Sequence, residues 1–172
     1  MILSLPLVVT IYNLVKILNS PSRFNPGIGV GVFILHQNRI LLGQRKDSGL
    51  FGLPGGWLEM GETWEDCASR ELNEETGLDM SPECFKHIST MNCKCLSERF
   101  HNVSLVMLAE IPQDEFFRVR NREPKKCLGW EWVDFDCLRN NAHKLFLPLK
   151  EFLGENTLLS CVDDLKKMIK EG

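Results

Sequence analysis

The alternation of apolar and polar positions predicts a series of β-strands from Ile28 onward. The run IGVGVFIL (28–35) is apolar and β-branched, which is typical of a buried strand. The polar turn HQNR separates it from ILLGQR (40–45), so these two strands are expected to form a hairpin. Further strands are predicted at 85–95, 101–111 and 128–135. Trp130 and Trp132 in the last strand should share one face.

A helix is predicted from Trp64 to Thr76. Thr63 suits the N-cap and Asp66 the N3 position, a variant of the capping box. Gly77 follows as a natural C′ residue. The stripe expected to face the core consists of Trp64, Ala68 and Leu72.

The order of elements favours an α/β fold. Two closing helices are predicted within 143–153 and 158–170. Strands dominate the middle of the chain and helices do not alternate strictly with them, which favours a mixed sheet with helices on its faces over a doubly wound fold. Residues 27–172 are expected to form one domain, preceded by an apolar segment and linker at 1–26.

The N-terminal segment Ile2–Leu18 is mostly apolar, with Lys16 as its only charge. It is slightly shorter than the roughly 20 residues that span a bilayer and lacks a basic region at its start. A signal-anchor, an interfacial helix and an appendage without a membrane role remain open. We expect a cytoplasmic protein unless this segment is a signal-anchor, with any membrane contact made through residues 2–18 only.

Composition narrows the function classes. The chain has 172 residues, of which 44% are hydrophobic and 25% charged, so a globular core is expected. The net charge of -3 gives no general attraction to nucleic acid, so nucleic acid is not an expected partner, and a polyanionic small molecule would need a metal ion or a few local Lys and Arg to bind it. A homodimer is left open. The seven cysteines include no C-x-x-C pair and suit a reducing compartment.

Three carboxylates on the predicted helix form an acidic edge: Glu71, Glu74 and Glu75. Residues three and four apart on a helix are neighbours, and like charges at that spacing destabilise it by a few tenths of a kcal/mol per pair. A solvated acidic face is one interpretation. A site for a hard cation such as Mg²⁺ or Mn²⁺ is the other. Gly55-Gly56 stands just before the helix, and its backbone could approach the same cation.

Arg70 has two sets of candidate partners. An ion pair with Glu62 would pin the intervening loop to the helix. The alternative is an ordinary i,i+4 contact with Asp66 or Glu74.

The same residues fit, without a gap, the pattern G-x5-E-x7-R-E-U-x-E-E-x-G-U, where U is apolar. The matching positions are Gly56, Glu62, Arg70, Glu71, Leu72, Glu74, Glu75, Gly77 and Leu78. This resembles the Nudix box. The resemblance extends over about 27–153 to MutT-type Nudix hydrolases, and it is closest to the animal and plant nucleoside triphosphate diphosphatases related to 8-oxo-dGTPases.

The resemblance implies a fold and a set of roles. The fold would be an α/β/α sandwich around a mixed β-sheet, and the cofactor Mg²⁺ or Mn²⁺. Glu71, Glu75 and Arg70 would be catalytic, and Glu71 would help to deprotonate the attacking water unless a carboxylate outside the box does so. The metal would be held by Glu71, Glu74, Glu75 and Gly56. Substrate would contact Arg45, Gly55 and Phe146, while Glu62 and Gly77 would be structural. Arg45 is otherwise an exposed charge at a strand end, and Phe146 a core residue.

Three departures from the relatives concern the substrate. Glu123-Pro124 is followed by Lys125 and Lys126 where relatives often carry a second Glu. Trp57 replaces a His after the two glycines, and Leu147 replaces a Trp. The last change removes one aromatic face on which a base could stack.

The resemblance therefore implies Mg²⁺-dependent hydrolysis of nucleoside triphosphates to monophosphate and pyrophosphate. Purine or oxidised purine dNTPs such as 8-oxo-dGTP are the expected substrates, in a role that cleans the nucleotide pool. The alternatives are hydrolysis of another diphosphate (an ADP-sugar, a dinucleotide or a prenyl diphosphate) and a non-catalytic nucleotide-binding module.

Overall fold

A computed structural model describes residues 26–95, 100–112, 114–155 and 162–171. The predicted apolar segment at 2–18 lies outside the described residues, as do residues 158–161 of the last predicted helix. Within the described ranges, no helix combines the length and the apolar character needed to cross a membrane.

The predicted elements occur in the predicted order with small changes of boundary, and one helix, Phe135–Asn140, was not predicted. The strands are β1 (Gly27–His36), β2 (Arg39–Arg45), β3 (Phe51–Gly52), β4 (Gly55–Trp57), β5 (Lys86–Cys95), β6 (Phe100–Glu110) and β7 (Cys127–Asp134). The α-helices are α1 (Trp64–Thr76), α2 (Phe135–Asn140), α3 (Leu147–Glu155) and α4 (Val162–Glu171). Short 3₁₀ turns occur at Pro82–Cys84, Phe116–Arg118 and Ala142–Lys144.

The sheet is mixed, as predicted. Its main path runs β3-β2-β1-β6-β5, with β4 paired to β1 and β7 paired to β2. The predicted β1–β2 hairpin is confirmed by antiparallel pairing of Leu35 with Ile40. In contrast, β1 and β6 pair in parallel from Gly27 opposite Asn102 to Leu35 opposite Glu110. The central strand β1 therefore has an antiparallel neighbour, β2, and a parallel neighbour, β6.

Helices cover both faces of this sheet and create two cores, so the predicted α/β/α sandwich is confirmed. On one face, Val32 and Ile34 of β1 pack in a cluster with Ala68 and Leu72 of α1. On the other face, Phe33 packs in a second cluster, where its ring lies 5.1 Å from that of Phe152 on α3. The strict alternation along β1 explains why one strand supplies both cores.

The ends of α1 are capped as predicted. The Thr63 hydroxyl accepts from the Asp66 N–H at 3.1 Å, and the Asp66 carboxylate accepts from the Thr63 N–H at 3.2 Å. Gly77 ends the helix with φ 76°, and its N–H donates to the Asn73 carbonyl at 2.9 Å. These caps fix which residues belong to the helix and thus which way its acidic edge faces.

One core assignment is wrong. Trp64 is 41% exposed and packs its ring 4.9 Å from His87, rather than in the core. Cys67 is buried instead, in the cluster that contains Ala68 and Leu72. Trp64 is the first residue of α1 and lies beside β5, the edge strand that carries His87, so its ring is only partly buried.

The helix predicted from His143 begins later, at Leu147. Leu145 is buried and forms a parallel bridge with Phe51, and the Phe146 N–H donates to the Phe51 carbonyl at 2.7 Å. Pro148 explains the late start, because proline is tolerated in the first turn but not in a helix interior.

Replacing Leu72 with alanine is expected to lower the free energy of unfolding by about 2–5 kcal/mol, because a fully buried leucine leaves a cavity when truncated. Urea unfolding followed by tryptophan fluorescence measures the loss. The matched control is Leu128→Ala, whose side chain is 58% exposed and whose loss should stay within about 0.5 kcal/mol. Equal losses in both variants would contradict the placement of Leu72 in the core.

Candidate active site

Gly55 and Gly56, the first two residues of β4, lie between β1 and α1. Gly55 pairs with Gly31 across the β1–β4 ladder and has φ 148°. A Cβ at Gly55 would lie 2.0 Å from the Val30 carbonyl oxygen, so no side chain fits there. The Gly55 N–H donates to the Glu75 carboxylate at 3.0 Å. Gly55 is thus fixed to β1 on one side and to α1 on the other.

Gly56 brings its backbone against the second carboxylate. A Cβ at this position would lie 2.2 Å from Oε1 of Glu71, and only glycine allows this approach. The two backbone glycines and the two carboxylates, predicted separately from the sequence, therefore lie together.

Arg70 holds this arrangement from the side of the loop. Its Nε donates to Glu62 at 2.6 Å and its Nη2 donates to the same carboxylate at 3.0 Å, which confirms the predicted ion pair. Nη1 donates to Glu71 at 2.7 Å, and its distance to Glu74 is 3.4 Å. Asp66 is taken up by the capping box, so of the two i,i+4 alternatives only Glu74 is in contact, at longer range.

Burial disfavours the charged forms of Glu71 and Glu75. Burial raises the pKa of Glu75 to about 7, although the Gly55 N–H acts to lower it. Burial also raises the pKa of Glu71, against the lowering effect of Arg70. Carboxylates removed from water in this way gain from a nearby cation.

The donor set fits a divalent ion of the hard type. In the part of the chain that the structure describes, no three His, Cys, Asp or Glu side chains are grouped closely enough to hold a metal by themselves. Mg²⁺ does not need such a cage, since it usually keeps several waters and takes one or two carboxylates plus substrate phosphates. Glu71 and Glu75 could supply those carboxylates, and the backbone of Gly56 packs against Glu71.

The acidic edge opens onto a cavity of about 750 Å³. Basic residues line this cavity together with the carboxylates: Arg45, Lys46, Lys125 and Lys126. Apolar residues of the second core line it as well: Met91, Val106, Leu149 and Phe152. The lining thus combines negative charge, positive charge and apolar surface.

Arg45 and Phe146 both line this cavity and contact each other. The Arg45 guanidinium lies 4.4 Å from the centre of the Phe146 ring, which is a cation–π contact. Arg45 also pairs with Asp47 at 2.6 Å. Of the three residues predicted to bind substrate, Arg45 and Phe146 are therefore adjacent, and Arg45 covers one face of the Phe146 ring.

Trp130 contributes to the site in a way that the sequence analysis did not predict. Its indole N–H donates to the Glu75 carbonyl at 3.2 Å, and the Arg122 N–H donates to the same oxygen at 3.0 Å. These bonds fix the last turn of α1. Trp130 and Trp132 share a face, as predicted, and the structure packs both against the α1-side core.

Asn102 and Ser104 of β6 were also missed. Both are 5% exposed and both line the cavity. Two polar residues alternating with apolar ones in a strand that is otherwise buried were the available signal. Trp57 and Leu147, the two residues that differ from those common in relatives, lie in different surroundings. Trp57 is 57% exposed, and Leu147 is half-buried at the start of α3.

A comparison with known families bears on this geometry. The sequence pattern of the NUDIX domain matches residues 25–153, most of the chain. The chain belongs to the Nudix family. Nudix hydrolases act on the pyrophosphate bonds of nucleotides and generally use a divalent metal, so this chain is a hydrolase of that class.

Three relatives of this Nudix chain illustrate the range of activities. The ADP-ribose pyrophosphatase of Methanocaldococcus jannaschii is 32% identical over 129 residues, which are 67% of this chain and 75% of that protein. The "Putative 8-oxo-dGTP diphosphatase" of Bacillus subtilis is 48% identical over 50 residues, 28% of this chain and 34% of that protein. The crystal structure of a MutT NUDIX hydrolase from Burkholderia pseudomallei is 28% identical with a TM-score of 0.58, over 65% of this chain and 85% of that one. The MutT-type interpretation of the sequence is confirmed.

The Arg70–Glu62 pair predicts a dependence of stability on pH. The Arg70 hydrogen bond lowers the pKa of Glu62 from 4.5 to about 2. Because the folded-state pKa is the lower one, the contribution is complete above about pH 4.5 and is lost as the pH falls toward 2. Urea unfolding across this range should show a smaller loss of unfolding free energy in Glu62→Gln than in the native protein.

The control for this series is Glu131→Gln, which removes an exposed carboxylate on β7. It should lose stability with falling pH as the native protein does. Parallel curves for the native protein and Glu62→Gln would show that the ion pair does not carry the effect.

Proposed function

We propose that this Nudix hydrolase converts nucleoside triphosphates and water to nucleoside monophosphates and pyrophosphate, with Mg²⁺ or Mn²⁺ as the cofactor. Purine and oxidised purine dNTPs, 8-oxo-dGTP among them, are the expected substrates, and their removal would clean the nucleotide pool. The observation that carries the proposal is the packing of half-buried Glu71 and Glu75 against Gly55-Gly56 in a cavity that basic residues also line.

Each residue has a proposed task in this reaction. Glu71 and Glu75, with Glu74 and the Gly56 carbonyl, would hold the metal. When bound, the metal neutralises charge on the phosphates and lowers the pKa of water. Glu71 accepts the proton of the attacking water, a role that its raised pKa favours.

The remaining residues position these groups. Arg70 contacts Glu62 and Glu71, and acts by orienting the carboxylate rather than by touching substrate. Arg45 and Lys126 line the cavity and offset the charge of the phosphates. The oxygen of water forms a bond to one phosphorus while the bond between that phosphorus and the bridging oxygen breaks, and pyrophosphate leaves.

A second candidate is the hydrolysis of ADP-ribose. It is favoured by the relative from Methanocaldococcus jannaschii, which is similar over two thirds of this chain. The same acidic edge would serve, because only the group beyond the diphosphate differs. A non-catalytic binding module is less well supported, since the box carboxylates are all present.

Purified protein with Mg²⁺ or Mn²⁺ is expected to release pyrophosphate from at least one of dGTP, dATP, 8-oxo-dGTP and 2-oxo-dATP. Glu75→Gln should lower kcat by about 10²- to 10⁴-fold with a small change in substrate binding. The matched control is Glu65→Gln, on the same helix but outside the cavity lining. ADP-ribose and geranyl diphosphate complete the panel. Turnover of ADP-ribose alone would replace the proposal with the second candidate, and no turnover of any member would overturn both.

Gly56→Ala is expected to weaken Mn²⁺ binding at least tenfold, because the new Cβ would lie 2.2 Å from Oε1 of Glu71 and would displace that carboxylate. Titration calorimetry with Mn²⁺ measures the effect. Gly129→Ala is the matched control, since a Cβ there meets nothing within 4 Å. Equal affinities in the two variants would show that the approach of Gly56 to Glu71 is not needed for the metal.

A further inference from the structure

The segment from Arg122 to Trp130 is held at both ends by one oxygen of α1. The Arg122 N–H donates to the Glu75 carbonyl at 3.0 Å, and the Trp130 indole N–H donates to the same oxygen at 3.2 Å. Between these two points, the Lys126 carbonyl accepts from the Lys46 N–H at 2.8 Å. The backbone that carries Lys126 is therefore fixed beside the last turn of α1.

The ammonium group of Lys126 is a cation of the cavity wall. Its Nζ donates to the Glu123 carboxylate at 2.7 Å, and its side chain is 74% exposed. Lys126 lines the same cavity as Glu71 and Glu75. The Glu123 hydrogen bond raises the pKa of Lys126 most, and the charges of Glu75 and Glu71 raise it further. An ammonium has three N–H groups, so the bond to Glu123 leaves donors for a ligand in the cavity.

Lys126 differs from Arg70 in how it acts on the acidic edge. Arg70 makes direct ion pairs with Glu62 and Glu71. Among the described residues, the direct partner of Lys126 is Glu123, and its charge reaches the box carboxylates through space. Burial raises the pKa of Glu71, and the charge of Lys126 adds to the lowering effect of Arg70. Lys126 can therefore turn to a new anion without breaking a bond to a carboxylate of the acidic edge.

A cation at this position has opposite effects on the two ligands of the site. It repels a divalent ion that approaches Glu71 and Glu75, and it already offsets part of their charge. It attracts a phosphate that enters the cavity and can donate a charge-assisted hydrogen bond to it. Once a phosphate neutralises the lysine, the repulsion of the divalent ion falls. Each ligand then strengthens the binding of the other by the same factor.

We propose that Lys126 couples the binding of the divalent ion to that of the nucleotide. Its ammonium weakens binding of the ion to the free protein and donates to a phosphate of the nucleotide, so the ion enters mainly as a complex with the nucleotide. This inference rests on the proposed hydrolysis of nucleotides. It adds a role in metal binding for a residue that lies outside the Nudix box and is not a metal ligand.

Titration calorimetry at low ionic strength, where screening is least, separates the two effects. One series uses Mn²⁺ alone, and the other uses the Mn²⁺ complex of α,β-methylene GTP, whose bridging carbon resists hydrolysis. In Lys126→Gln, Mn²⁺ alone should bind at least about twofold tighter than in the native protein, because a repulsive charge is gone. The analogue complex should bind about tenfold more weakly, because a charge-assisted hydrogen bond is lost. A variant that merely lost structure would bind both more weakly.

Two further variants serve as controls. Lys126→Arg keeps the charge, and both affinities should stay within about threefold of the native values. Lys86→Gln removes an exposed lysine of β5 that is outside the cavity lining, and it should change neither affinity.

Three results would overturn the inference: no tighter binding of Mn²⁺ in Lys126→Gln, equal affinity of that variant and the native protein for the analogue complex, or no binding of the analogue complex to the native protein. None of these measurements requires turnover. A native protein that hydrolyses no nucleotide would therefore refute the proposed function, while calorimetry decides this inference separately.

Discussion

The arrangement of the site depends on how closely the backbone at Gly55 and Gly56 approaches its neighbours. The Val30 carbonyl confines Gly55 on the strand side, and the Glu71 carboxylate confines Gly56 on the helix side. A side chain at Gly55 would force β4 away from β1, and one at Gly56 would displace the Glu71 carboxylate. The close fit therefore keeps β4 on β1 and the Glu71 carboxylate against the backbone, and the bidentate Arg70–Glu62 pair ties the connecting loop to the helix.

This arrangement places the carboxylates of Glu71 and Glu75 close together and partly removes them from water, which costs free energy when no cation is bound. Arg70 beside Glu71 and the Gly55 N–H beside Glu75 offset part of this cost, and the helix that carries both carboxylates is fixed at both ends. The capping box holds the first turn, and Trp130 and Arg122 bind the last turn through the Glu75 carbonyl. Carboxylates held on a rigid element need little rearrangement when a cation and a phosphate arrive, which is the usual basis of electrostatic preorganisation.

Features that depend on local spacing could be predicted from the sequence. The caps of α1, the Arg70–Glu62 pair and the acidic edge all follow from residues within a few turns of one another. Features that depend on pairing between distant segments could not. Trp64 was misassigned because periodicity does not reveal where the sheet ends, and Asn102 was missed because its neighbours Gly29 and Ser104 come together only through the parallel pairing of β1 and β6.

The pairing of β2 with β7 has a consequence for folding. Arg39 pairs with Asp134, 95 residues later, and the same strand β7 delivers Trp130 to the end of α1. Closing so long a loop costs entropy before any contact repays it, and chains dominated by such contacts fold slowly. The helix with its acidic edge can form early from local contacts. Its final turn is fixed only after the last strand has joined the sheet, so a nascent chain carries the complete box before it carries a working site.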